Sequence, residues 1–133
     1  LINRNHAAWE AERRQFRRLN VLNDPLPAVD LIFCRDCLVH FSYRDTISAL
    51  KNIIASRSTF LLTTTFTART RNCDIATGQW RPLNLQLPPI TFPRPIRVIN
   101  EACGEDGGEY RDKSLALWRI ADIAGAVLSK YRW

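Results

Sequence analysis

Between residues 72 and 84 the chain gathers side chains suited to orienting a polar molecule: Asn72, Asp74, Trp80, Arg81 and Asn84. A tryptophan offers a flat apolar wall, an arginine a planar fork of donors, and amides donate and accept in fixed directions. Together they read as an acceptor pocket in which Asp74 could take up a proton. Local readings compete with this one: Asp74 bonding its own backbone, Trp80 anchoring a loop to the core, and Arg81 paired with an acid. Tyr110, Asp112 and Lys113 could close the opposite side. His40 is the second candidate base, unless it serves only to fix the turn before Ser42.

Four cysteines raise the question of metal. Cys34 and Cys37 have the two-residue gap of a zinc knuckle and His40 follows, but Cys73 and Cys103 lack that spacing, so no zinc site is expected. Small, partly buried thiols in a reducing compartment are the better account, with a redox pair as the lesser alternative. The net charge of +6 comes mainly from arginine, densest at Arg13, Arg14, Arg17 and Arg18. That cluster is either a phosphate-binding patch for nucleic acid or a solvated face.

With 133 residues, 46% of them hydrophobic, the chain has the material for one domain and one core. No apolar run is long enough to span a bilayer and no signal-peptide pattern opens the chain, so the default expectation is cytoplasmic, without a membrane partner. The absence of methionine and the start at Leu1 point to a fragment of something longer.

The elements that must position these groups follow from periodicity. Residues 1–14 read as a helix, residues 16–22 as a strand ended by "NDPLP", and "VDLIFC" (residues 29–34) as a strand apolar enough to be buried on both faces. "SYRDTISALKNIIASR" is the most regular helix, with Ser42 as cap, Asp45 at the third position and Ile47, Leu50, Ile53 and Ile54 in one stripe. "STFLLTTTF" supplies a second buried strand, and strand, helix, strand at this spacing is a parallel crossover. Residues 95–102 and 113–123 alternate like two further strands on either side of a Gly-rich turn. Strands 29–34 and 60–64 are therefore expected to be parallel neighbours, with 114–120 antiparallel to one of them and 97–101 at the outer edge.

The class is α/β, and ligands of open α/β sheets lie beyond the carboxyl ends of the strands. That rule gathers Cys34, Arg35 and Asp36 with Thr63, Thr64 and Thr65 around one crevice. The long segment 67–93, which has neither helical nor strand periodicity, is rooted at the same edge and is expected to cover whatever binds there.

These residues also carry a resemblance. "DLIFCRDCLVHF", the capped helix and "STFLLTTTF" resemble the fourth strand, following helix and fifth strand of class I S-adenosylmethionine-dependent methyltransferases, and "CRDCLVHF" is similar to the "CRNVLIYF"-like stretch of chemotaxis-receptor methyltransferases. "NCDIATGQWRPLNLQLPPITFPRPIRVINE" with "YRDKSLALWRI" resembles a group of bacterial class I methyltransferases. The likeness runs from about Phe16 to Ile123. It implies a Rossmann-like sheet of seven strands ending in an antiparallel pair, with S-adenosylmethionine over the central strands. By position it assigns Asn20, Val21, Cys34, Arg35 and Asp36 to the cofactor, and leaves Thr64, Thr65 and the loop set from Asn72 to Asn84 to the acceptor. Where the family places an acid after its third strand this chain has Asn20, with Asp24 further on.

The family's Gly-rich turn has no counterpart, because the five glycines (Gly78, Gly104, Gly107, Gly108 and Gly125) all come too late. The first two strands are thus expected to be missing, making residues 1–133 a single unit that forms the carboxyl-terminal part of such a domain. Two functions follow as expectations: methyl transfer to a small or peptide-like acceptor within a longer parent, or a non-catalytic module that binds nucleic acid through Arg13 to Arg18.

Overall fold

Residues 1–129 are described in the computed structural model, in the order α1 (Ile2–Trp9), β1 (Leu31–Cys34), α2 (Tyr43–Ala55), β2 (Phe60–Phe66), β3 (Arg97–Asn100), β4 (Lys113–Arg119) and α3 (Ile120–Leu128). The strands form one mixed sheet in the order β1-β2-β4-β3. β1 and β2 are parallel, with Leu31 opposite Phe60 and Cys34 opposite Thr63. β4 runs antiparallel to β2, and β3 pairs antiparallel to β4 at the outer edge. Both the crossover and the placement of the last two strands agree with the spacing in the sequence.

α2 begins where its cap chemistry places it, with the Ser42 hydroxyl accepting from the Asp45 amide at 3.2 Å. Its stripe of Ile47, Leu50 and Ile53 is buried with Leu61, Trp118, Ile123 and Val127 in one core.

Most of that core lies on one face of the sheet, and Phe66 at the end of β2 joins it from the other. Leu61, Thr63 and Thr65 of β2 are buried together with their register partners Trp118, Ala116 and Ser114. The alternate positions Phe60, Leu62, Leu115 and Leu117 point the other way and are half-buried, outside the core. Leu31 and Phe33 continue this open face across β1, at 45% and 59% exposure. The expectation that β1 is buried on both faces is therefore corrected: it is an edge strand with helix packing on one side only.

Three other boundaries differ from the expected ones. The first helix stops at Trp9 and buries no side chain that would hold a longer one; Ala11 and Arg14 then close a local bridge. Residues 16–22 form no strand. Instead Asn20 organises a turn in which its side chain accepts from the Leu22 amide at 3.0 Å and its own amide donates to Asp24 Oδ2 at 2.7 Å. The Asn52 amide on α2 clamps this turn by donating to the carbonyls of Val21 and Asp24. Lastly, the strand expected through Ile123 ends at Arg119, because Ile120, Ile123 and Val127 recur at helical spacing and bury one face of α3.

Candidate functional site

Segment 67–96 is an ordered cover anchored to the ends of the strands. Leu83, Leu85, Ile90 and Phe92 are buried in the core. The Thr65 hydroxyl accepts from the Leu85 amide at 3.1 Å, the Phe66 amide donates to the Leu83 carbonyl at 2.9 Å, and the Arg81 amide donates to the Val39 carbonyl at 3.1 Å. Thr65 is thereby an anchor for the loop. Asn72 has the same kind of role: its side chain donates to the carbonyls of Asn84 and Pro88 and accepts from the Asn84 amide. Asn84 in turn donates to the Arg69 carbonyl. Asp74 Oδ1 accepts from the amides of Tyr43 and Ile75 at 2.7 and 2.9 Å, tying the loop to the start of α2.

Arg81 is buried, with Nη1 donating to the Val39 carbonyl at 3.3 Å and its guanidinium 5.2 Å from the centre of the Tyr43 ring. Burial lowers its pKa and raises that of Tyr43. Of the five loop residues expected to line an acceptor pocket, Asp74, Arg81 and Asn84 hold the loop together, Asn72 does so while also lining a separate cleft of about 410 Å³ with Arg69, Arg71 and Pro82, and Trp80 faces a cavity at the strand ends.

That cavity, about 250 Å³, lies at the carboxyl ends of β1 and β2 and the start of β4. Its walls are Asp36, His40, Phe66, Trp80, Tyr110 and Lys113, with Glu105 at one side. Phe66, Trp80 and Tyr110 meet edge to face, with centroids 5.0 to 6.0 Å apart. Thr64 Oγ1 accepts from the Asp36 amide at 2.8 Å, and Lys113 Nζ reaches Asp36 Oδ2 at 2.9 Å. Thr64 therefore acts on the cavity through Asp36. His40 Nδ1 lies 3.0 Å from the Gln79 carbonyl. A carbonyl only accepts, so Nδ1 is the donor in this contact, and in the neutral form of the ring the lone pair is on Nε2. The sequence pointed to Asp36, His40, Trp80, Tyr110 and Lys113, while Phe66 and Glu105 were missed. Phe66 reads as strand core, and Glu105 sits in a turn without periodicity.

The expected cofactor residues divide between two places. Val21, Cys34 and Arg35 line a second, mainly apolar cleft of about 340 Å³ along the open edge of β1, with Phe33 and Cys37. Asp36 turns into the first cavity, and the Asn20 side chain is occupied in its own turn. Arg35 is held by Glu101 at 2.7 Å, which with Asp36 raises its pKa. The arginines at 13, 14, 17 and 18 are exposed, and none lines either cavity.

Neither a protein-family model, nor a curated protein, nor a solved structure matches this chain. Among the described residues, no helix is long and apolar enough to cross a membrane.

Proposed function

We propose that the chain is the carboxyl-terminal part of a class I S-adenosylmethionine-dependent methyltransferase, and that the cavity walled by His40, Trp80 and Tyr110 receives a small or peptide-like acceptor. The observation that carries this reading is the strand order β1-β2-β4-β3, a parallel crossover followed by an antiparallel pair, which is the end of the sheet that the sequence resemblance implies. Two further features support it. Among the described residues no strand pairs with the outer edge of β1, and on the sheet face that also carries the half-buried Phe60 and Leu62 the side chains of Leu31 and Phe33 are exposed, where the remaining strands and helices of such a sheet would pack.

The cofactor supplies an already activated methyl group. The cleft beside Val21, Cys34 and Arg35 fits the flat, apolar part of that molecule, while the charged end needs backbone amides of a Gly-rich turn after a first strand, and all five glycines of these 133 residues come later than β2. On the acceptor side, Trp80, Phe66 and Tyr110 exclude water and orient the substrate, and the Asp36–Lys113 pair gives it polar contacts. His40 Nε2 takes the acceptor's proton, and Asp74 acts indirectly by fixing the loop on α2.

Calorimetric titration with S-adenosylmethionine tests the reading. No saturable binding is expected for the 133 residues alone, and saturable binding for the chain extended through its upstream coding sequence. In that extended protein, His40→Gln should lower turnover by about 10²-fold or more with cofactor affinity kept within a few-fold. Absence of binding by the extended protein overturns the proposal, as does tight binding by the 133 residues alone.

A further inference from the structure

Cys34 and Cys37 meet in the cleft at the open edge of β1, which they line together. Cys34 ends β1, and the backbone reverses at Asp36, whose φ of 51° lies in the left-handed region. This bend folds the chain back, so that two thiols three positions apart in sequence line the same cleft. Cys73 and Cys103 lie elsewhere, Cys73 exposed and Cys103 against Glu105. We infer that Cys34 and Cys37 form a redox-active dithiol, which a small disulfide of the glutathione type converts to an intrachain disulfide.

The two sulfurs are differentiated by their surroundings. The neighbouring Cys34 thiol lowers the pKa of Cys37 to about 7 against the opposing effect of burial. In turn Cys37, together with burial, raises that of Cys34. Among the side chains lining the cleft, Arg35 is the one other charged group, and its guanidinium is engaged by Glu101 and Asp36. Cys37 is thus the attacking thiolate at neutral pH and Cys34 the resolving thiol.

The electron count closes with the disulfide as oxidant. Cys37 thiolate attacks one sulfur of the external disulfide, forming a mixed disulfide and releasing the first thiolate. Cys34 then loses its proton and attacks Cys37 Sγ, which expels the second thiolate. The dithiol loses two electrons and the external disulfide gains them as two thiols. Because Asp36 lies between the cysteines and lines the acceptor cavity, the bond locks the segment that carries one wall of that cavity.

Trypsin cuts after Arg35, so the expected disulfide joins peptides 19–35 and 36–44, which are otherwise separate. After brief treatment of the 133-residue chain with oxidised glutathione at pH 7, mass spectrometry should find these two peptides linked, with Cys73 at most glutathionylated. Finding them unlinked while Cys73 carries glutathione overturns the proposal. A second measurement follows alkylation of Cys37 against pH: the midpoint should lie near 7 in the wild type and move toward the ordinary 9.0 in Cys34→Ala. One midpoint for both proteins also overturns it. The peptide linkage is read on the wild-type chain and stands whether or not that variant folds.

Discussion

Residues 1–20 and residues 67–96 both lack sustained regular structure, yet they are built differently. The first segment contains one short helix, buries no residue and bonds mainly to itself, as in the His6–Glu10 contact. The second places four apolar side chains in the core and uses Asn72, Asp74 and Asn84 to satisfy backbone groups across the loop and at the start of α2. Order in an irregular segment comes from burial and from side chains that bond backbone, and periodicity is not needed for either.

The largest effect that can test this contrast is Leu85→Ala. Leu85 is fully buried, so its truncation should lower unfolding stability by about 2–5 kcal/mol, measured by urea denaturation. A loss below about 0.5 kcal/mol would place the loop in the same class as the amino-terminal segment. Asn72→Ala should come next, at about 1–3 kcal/mol, because it strips partners from the backbone of Asn84 and Pro88. It should also raise hydrogen exchange at the Asn84 amide, a local signature that a general loss of packing would not confine there.

Asn20→Ala probes the junction between the exposed segment and α2. It removes the acceptor for the Leu22 amide at the boundary where the exposed segment meets α2, with an expected cost of about 1 kcal/mol. A loss as large as that of Leu85→Ala would mean that the turn, and with it the Asn52 clamp, holds the fold as strongly as the loop does. The smallest effect belongs to Trp9→Ala on α1, expected within about 0.5 kcal/mol because the ring is largely exposed and the helix buries nothing.

The candidate cavity shows the same division between local and tertiary information. Trp80, Tyr110 and Lys113 were legible as orienting groups because their chemistry stands out in polar surroundings, and Asp36 because it follows a strand that the apolar pattern marks. Asn72, Asp74, Arg81 and Asn84 have equally suitable side chains, but whether a side chain points at a ligand or at the backbone depends on where residues 12 or 31 positions away are placed. Tyr43 supplies the amide that engages Asp74, and no spacing in the sequence links the two.

By itself the sequence determined the parallel crossover, the Ser42 cap and the antiparallel pair at the far edge, because these depend on apolar spacing, cap chemistry and turn residues within short windows. Tertiary structure decided that β1 sits at the sheet edge, that Ile120 opens a helix, and that most of the core lies on one face of the sheet. Those outcomes depend on what packs beside each strand. An apolar run such as "VDLIFC" is the same whether both of its faces are covered or one remains open.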